Sequence, residues 1–100
     1  MDETGDITMD VYCQIATKII QSQEAIIGSV AVEQAESIPG FKIDWTTQQV
    51  VISGDEANAI DELVDKYKFL FGRLSVEVCK EAAAPLLGQL QPGGRPRTLV

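Results

Sequence analysis

The chain contains no histidine. That removes the commonest general base, the commonest metal ligand and the side chain that titrates near neutral pH. Bases are scarce as well: eight lysines and arginines face fifteen acids, a formal net charge of −7. Affinity for nucleic acid comes mainly from neutralising phosphates with Lys and Arg, so a nucleic-acid partner is not expected. Cysteine is almost missing, and the pair Cys13 and Cys79 is too small for a disulfide framework. No apolar run approaches the roughly eighteen residues of a membrane span. The opening residues, Met1 to Asp6, are acidic where a secretory leader is basic and then apolar. The expected setting is the cytoplasm, with no membrane partner. The glycines form no phosphate cradle: Gly72, Gly88, Gly93 and Gly94 match neither G-x-G-x-x-G nor a P-loop.

What is present is an ordinary globular composition, 45% hydrophobic and 23% charged over 100 residues. A single α+β domain is expected over residues 8–90, between a disordered acidic lead at 1–7 and a disordered tail at 91–100 rich in Pro, Gly and Arg. The organising stretch is 41–54. Phe41, Ile43 and Trp45 alternate with Lys42 and Asp44, Thr46 to Gln49 make a polar turn, and Val50, Val51 and Ile52 supply a β-branched return strand. Pro39-Gly40 and Gly54-Asp55 fence this β-hairpin.

Before the hairpin, Tyr12, Ile15, Ala16, Ile19, Ile20, Ile26, Ile27, Val30 and Ala31 recur at helical spacing, which predicts one helix of roughly 25 residues, about 38 Å long. Asp6 or Thr8 would cap it. An alternating strand of Ile7, Met9, Val11 and Cys13, and another over residues 26–32, are the competing readings. After the hairpin, Ser53 and Glu56 match a capping box, and Ile60, Leu63, Val64, Tyr67, Leu70 and Phe71 form a second helical stripe stopped by Gly72. A third, shorter helix is expected from about Val76, with Ser75 as its cap and a disturbance at Pro85. The order is then αββαα. If Leu74, Val76 and Val78 instead alternated as a strand, the chain would approach a ferredoxin-like α/β plait.

Chemistry finds little purchase. Ser53 and Ser75 stand where helix caps are needed and have no histidine to activate them. Cys13 and Cys79 lack a partner base and read as buried thiols in mutual contact, with a redox-sensitive pair as the sharper alternative. Asp61 and Asp65 share a helical face beside Glu62, but no calcium loop surrounds them, and nothing in the spacing brings Asp44, Glu33 or Glu36 to the same point. Gly54 at a strand-to-helix turn offers N–H groups to an anion, but Asp55 and Glu56 would repel it. No catalytic, cofactor or metal residue is therefore assigned.

Interaction signals are better. Phe69 lies opposite the second stripe, either exposed or covered by the third segment. Ala25, Gly28, Val32 and Ala35 form a line of small residues on a helix whose other face is already committed, and the two-stranded hairpin with Trp45 leaves free edges. Thr98-Leu99-Val100 has the form of a class I PDZ ligand. The expectation is a small cytoplasmic, non-catalytic interaction or regulatory module, acting through protein–protein contacts as a homodimer or with another protein. Its interface would use Phe69, Trp45, Ala25, Gly28, Val32 and Ala35. The alternative is a small-molecule- or metal-binding domain, possibly enzymatic, using Asp44, Asp61 and Asp65.

Overall fold

In the computed structural model, which describes residues 10–99, the first helix starts at its own cap. Asp10 Oδ1 accepts the N–H of Cys13 at 2.8 Å, and α1 (Val11–Ile27) follows. Val11 and Cys13 are thus helical rather than stranded; Ile7, Met9 and the expected caps Asp6 and Thr8 lie outside the described residues. Ile15, Ala16, Ile19 and Ile20 are fully buried, and each isoleucine contributes about 1.5–3 kcal/mol on burial. α1 is the spine: the other helices and the second hairpin strand pack against it.

The expected long helix is two helices. Gly28 closes α1 at φ +79°, ψ −159°, its N–H bonded to Glu24 O at 2.9 Å, and α2 (Val30–Glu36) starts two residues later. That backbone region is essentially restricted to glycine. Helical periodicity continues across the break, which is why the stripe alone reads as unbroken.

The hairpin forms as its alternation predicts. β1 (Phe41–Asp44) pairs antiparallel with β2 (Gln49–Ile52) in the register Phe41–Ile52, Ile43–Val50. Phe41, Val50 and Ile52 are buried while Lys42 and Val51 point outward. Two strands alone are marginal, and α1 supplies the missing layer. The turn is also pinned to α1: Trp45 Nε1 donates to Glu24 Oε2 at 3.1 Å, and Gln21 Nε2 to Gln48 Oε1 at 2.5 Å.

α3 (Glu56–Phe71) is capped by Asp55, whose Oδ1 accepts the Asn58 N–H at 3.1 Å, not by Ser53. Gly72 then repeats the device of Gly28, at φ +88°, ψ −174°, and α4 (Arg73–Leu87) begins at once. Residues 74–78 are helical, so no described strand is left to build a plait. Ser75 does not cap α4; it is buried inside it, and Gln23 Nε2 donates to its carbonyl at 3.0 Å. Pro85 sits in the last turn of α4, where it costs one ladder bond near the helix's end. The whole is an α+β arrangement, mostly helical with one two-stranded sheet.

The segment after α4, read from composition as disordered, folds back through two 3-10 turns, Pro92–Gly94 and Arg97–Leu99. Tyr12 Oη donates to Gly94 O at 2.7 Å and Arg95 Nε to Leu87 O at 3.1 Å, while Pro96 and Leu99 are buried. Composition reports turn residues; it does not report the tertiary partners that hold them.

Gly28→Ala and Gly72→Ala should each lower stability in urea unfolding by about 1–3 kcal/mol, although open space surrounds both positions. Gly88 has helical angles and equally open surroundings, so Gly88→Ala should be neutral or stabilising by about 0.4–1 kcal/mol. Equal effects at all three positions would show that the backbone angles are not the cause.

Candidate functional site

Three long-range hydrogen bonds set which helix ends meet. Gln23, only 1% exposed, donates to Ser75 O and to Cys79 Sγ at 3.4 Å, placing the start of α4 against the last turns of α1. Tyr67 Oη donates to Ala31 O at 2.6 Å, placing the end of α3 against the start of α2. The end of α1, the start of α2, the end of α3 and the start of α4 therefore gather at one end of the molecule, around the corners at Gly28 and Gly72.

That end is apolar. Seven large hydrophobic side chains are exposed among the described residues, and six of them stand on these four termini: Ile26, Val30, Phe69, Leu70, Phe71 and Leu74. Phe69 is 87% exposed and Leu74 79%. The seventh, Val51, is on the outer face of the hairpin. Large exposed apolar side chains gathered at one end mark contact sites more often than scattered ones do.

Of the large side chains singled out from the sequence as interface candidates, Phe69 alone is exposed at this end; the third segment does not fold over it. Leu70 and Phe71, assigned to the core stripe, are partly solvent-facing because α3 outruns its cover in its last turn. The small-residue line is divided by the helix break: Ala25 and Gly28 are exposed, but Val32 and Ala35 are buried and packed within the core. Trp45 is half-buried with its indole N–H engaged by Glu24. Ile26, Val30 and Leu74 were missed. For Leu74 the signal is the run from Lys66 to Val76, where aromatics and leucines crowd a helix end with no acid among them; Ile26 and Val30 fitted the first helical stripe and had none.

Asp61 and Asp65 do come together, lining an open cleft of about 330 Å³ with Asn58, Glu62, Arg97 and Thr98, while Asp44 remains on the hairpin. Asp61 is already occupied. It accepts the N–H groups of Arg97 (3.3 Å) and Thr98 (2.9 Å) and the Thr98 hydroxyl (2.7 Å), tying down the C-terminal segment. With Thr98 so held and Leu99 buried, the PDZ-like ending is not a free strand; Val100 lies outside the described residues.

A second cluster was invisible in the sequence because 43 positions separate its halves. Asp10, Cys13 and Glu56 bring one ligand atom each to within 4.8 Å of one another, the one set of three or more such groups among the described residues that could hold a metal ion. Burial, the Asp10 hydrogen bond and the Asp10 charge raise Glu56 to about 7. Burial also acts to raise Asp10, but hydrogen bonds from Glu56 and from the Cys13 backbone outweigh it and hold Asp10 below its ordinary value. The Cys13 thiol donates to Glu56 Oε2 at 3.8 Å, and burial first, then the two acids, push it up to about 12. Such a thiol stays protonated and is a poor nucleophile. Cys79 is raised to about 11 by burial and lies against Gln23, roughly 15 Å along α1 from Cys13, so the two thiols do not touch.

No protein-family model, curated protein or solved structure matches this chain. Its reading therefore rests on its own geometry.

Glu56 carries a pH signature. Its folded value near 7 exceeds the ordinary 4.5, so between those values the folded chain keeps a proton that the unfolded chain has lost. Stability must then fall as pH rises through this window. Asp10 works oppositely: its contribution is present above its ordinary 3.8 and is lost only as pH falls through its lowered value. Urea unfolding at pH 5 and pH 7.5 should show the wild-type chain weaker at the higher pH, with a smaller difference in Glu56→Gln. An undiminished difference in the variant would remove Glu56 as the source.

Proposed function

We propose that the chain is a small, non-catalytic interaction module that docks a second protein chain, in the simplest case another copy of itself, through the apolar end. One observation carries this reading: six of the seven exposed large hydrophobic side chains stand on the four helix termini that meet at Gly28 and Gly72. Leaving that surface in water forfeits burial worth about 25 cal/mol per Å² of apolar area. A hairpin edge is the weaker candidate, since a four-residue strand offers only about two outward-facing peptide pairs. A cytoplasmic setting belongs to the same proposal and is supported by two free cysteines that lie apart. No helix is long and apolar enough to cross a membrane among the described residues.

The second reading is a divalent-cation site at Asp10, Cys13 and Glu56, supported by their ligand-atom spacing. It ranks lower because Asp10 caps α1 and Glu56 opens α3, so both carboxylates face the positive ends of helix dipoles, which oppose a cation.

Light scattering on the full chain separates the two. Phe69→Glu and Leu74→Glu should each weaken association about tenfold or more while leaving the urea midpoint nearly unchanged, because both side chains are already in water. A monomer indifferent to both changes, and indifferent to them in pull-down of added partners, overturns the interaction reading. A thermal-shift series with Zn²⁺, Mn²⁺, Mg²⁺ and Ca²⁺ tests the cation site: a ligand at 100 times its dissociation constant stabilises by about 2.7 kcal/mol, and a flat series rejects those ions.

A further inference from the structure

Each of the four helix termini at the apolar end carries one charge in its terminal turn. Glu24 stands in the last turn of α1, Glu33 in the first turn of α2, Lys68 in the last turn of α3 and Arg73 at the first position of α4. The next charge along α4, Glu77, is paired with Lys80 at 4.0 Å, and half-buried Lys66 belongs to the turn before Lys68. The two signs are therefore divided between the corners: acids flank Gly28 and bases flank Gly72. Glu24 is engaged by the Trp45 indole, while Glu33, Lys68 and Arg73 are exposed. The exposed apolar side chains divide in the same way, Ile26 and Val30 beside Gly28, and Phe69, Leu70, Phe71 and Leu74 beside Gly72.

Such a surface is complementary to itself. Two copies in face-to-face contact are related by a two-fold axis lying in the plane of the contact, so what stands on one side of the axis meets what stands on its other side in the partner. With the axis running between the corners, each Gly28 corner meets a Gly72 corner. Acid then faces base twice, and Phe69 and Leu74 face the partner's Ile26 and the partner's Val30. An axis turned by a right angle would set Glu33 against Glu33 and Arg73 against Arg73, and juxtaposed like charges oppose association.

The area suits a dimer of this kind. At about 200 Å² for a large apolar residue, the six exposed ones present roughly 700 Å² per copy, inside the roughly 600–1,000 Å² per partner of a standard interface. Resting on the interaction reading above, we propose that the occupant of the apolar end is a second copy of this chain, docked face to face about a two-fold axis that runs between the corners, with Glu33 of each copy facing the partner's Lys68 and the partner's Arg73. Phe69 is the anchor of this contact, being the largest and most exposed side chain of the six.

Exchanging charge between copies tests it on the full chain. In sedimentation equilibrium at low salt the wild type should associate, and both Glu33→Lys and the double variant Lys68→Glu, Arg73→Glu should associate about tenfold more weakly, since each sets like charges across the axis. An equimolar mixture of the two variants should recover wild-type association as a mixed dimer, because a copy basic at all three positions then faces one acidic at all three. Damage to a helix in either variant is not repaired by mixing, so the mixture decides. In 0.5 M NaCl the three proteins should converge. A wild-type dimer that Phe69→Glu weakens but the charge changes do not, or a mixture no stronger than its components, overturns the corner-to-corner arrangement while the docking surface stands. A wild-type chain that stays monomeric overturns the second copy as occupant, and the interaction reading then rests on Phe69-dependent binding of another protein. A dimer indifferent to Phe69→Glu overturns both.

Discussion

Two backbone corners set the plan of this protein. Gly28 and Gly72 lie at positive φ with extended ψ, a region that a side chain effectively closes. Each ends a helix and turns the chain directly into another, with one residue intervening after Gly28 and none after Gly72. Without those turns α1 would run on through α2 and α3 through α4, and neither pair could fold back onto a common core. With them, four helix termini arrive at one end together.

The placement of those termini sorts the charges. α1 and α3 run parallel: their starts meet at Asp10, Cys13 and Glu56, and Tyr67, near the end of α3, reaches Ala31 just beyond α1. Acids favour helix starts and bases favour helix ends, because the helix dipole is positive at the first and negative at the second. Aligning two helices turns this local preference into a difference between the ends of the whole molecule. Asp10, Asp55 and Glu56 gather at one end, and Lys68, in the last turn of α3, stands at the other. The proton held near neutral pH by Glu56 follows from the meeting of the two helix starts, which sets Glu56 beside Asp10.

Local chemistry made much of this legible. The alternation of Phe41, Ile43, Val50 and Ile52 specified the hairpin and its buried face, and the stripe from Ile60 to Tyr67 specified α3, because side-chain period depends only on backbone geometry. Helix ends were harder. Ser53 and Ser75 have the right side chains for caps, yet Asp55 caps α3 and Ser75 is buried, since a cap is chosen by where the backbone turns. The apolar end was half visible: Phe69 stood off the stripe, but Leu70 and Phe71 fitted it, and their exposure depends on where neighbouring helices stop.

The sequence by itself determined the hairpin, the helical stripes and the lack of histidine chemistry, since each is a property of nearest neighbours along the chain. Only the tertiary structure decided that the first helix is two, that residues 91–99 fold back onto Tyr12, Leu87 and Asp61, that Cys13 meets Glu56 rather than Cys79, and that six apolar side chains share one exposed end. All of these depend on contacts between residues distant in sequence, and hydropathy periodicity does not encode which distant partner a residue finds. Gly28 is the clearest case: a glycine at a helical position becomes a corner because its φ, not its neighbours' pattern, carries the turn.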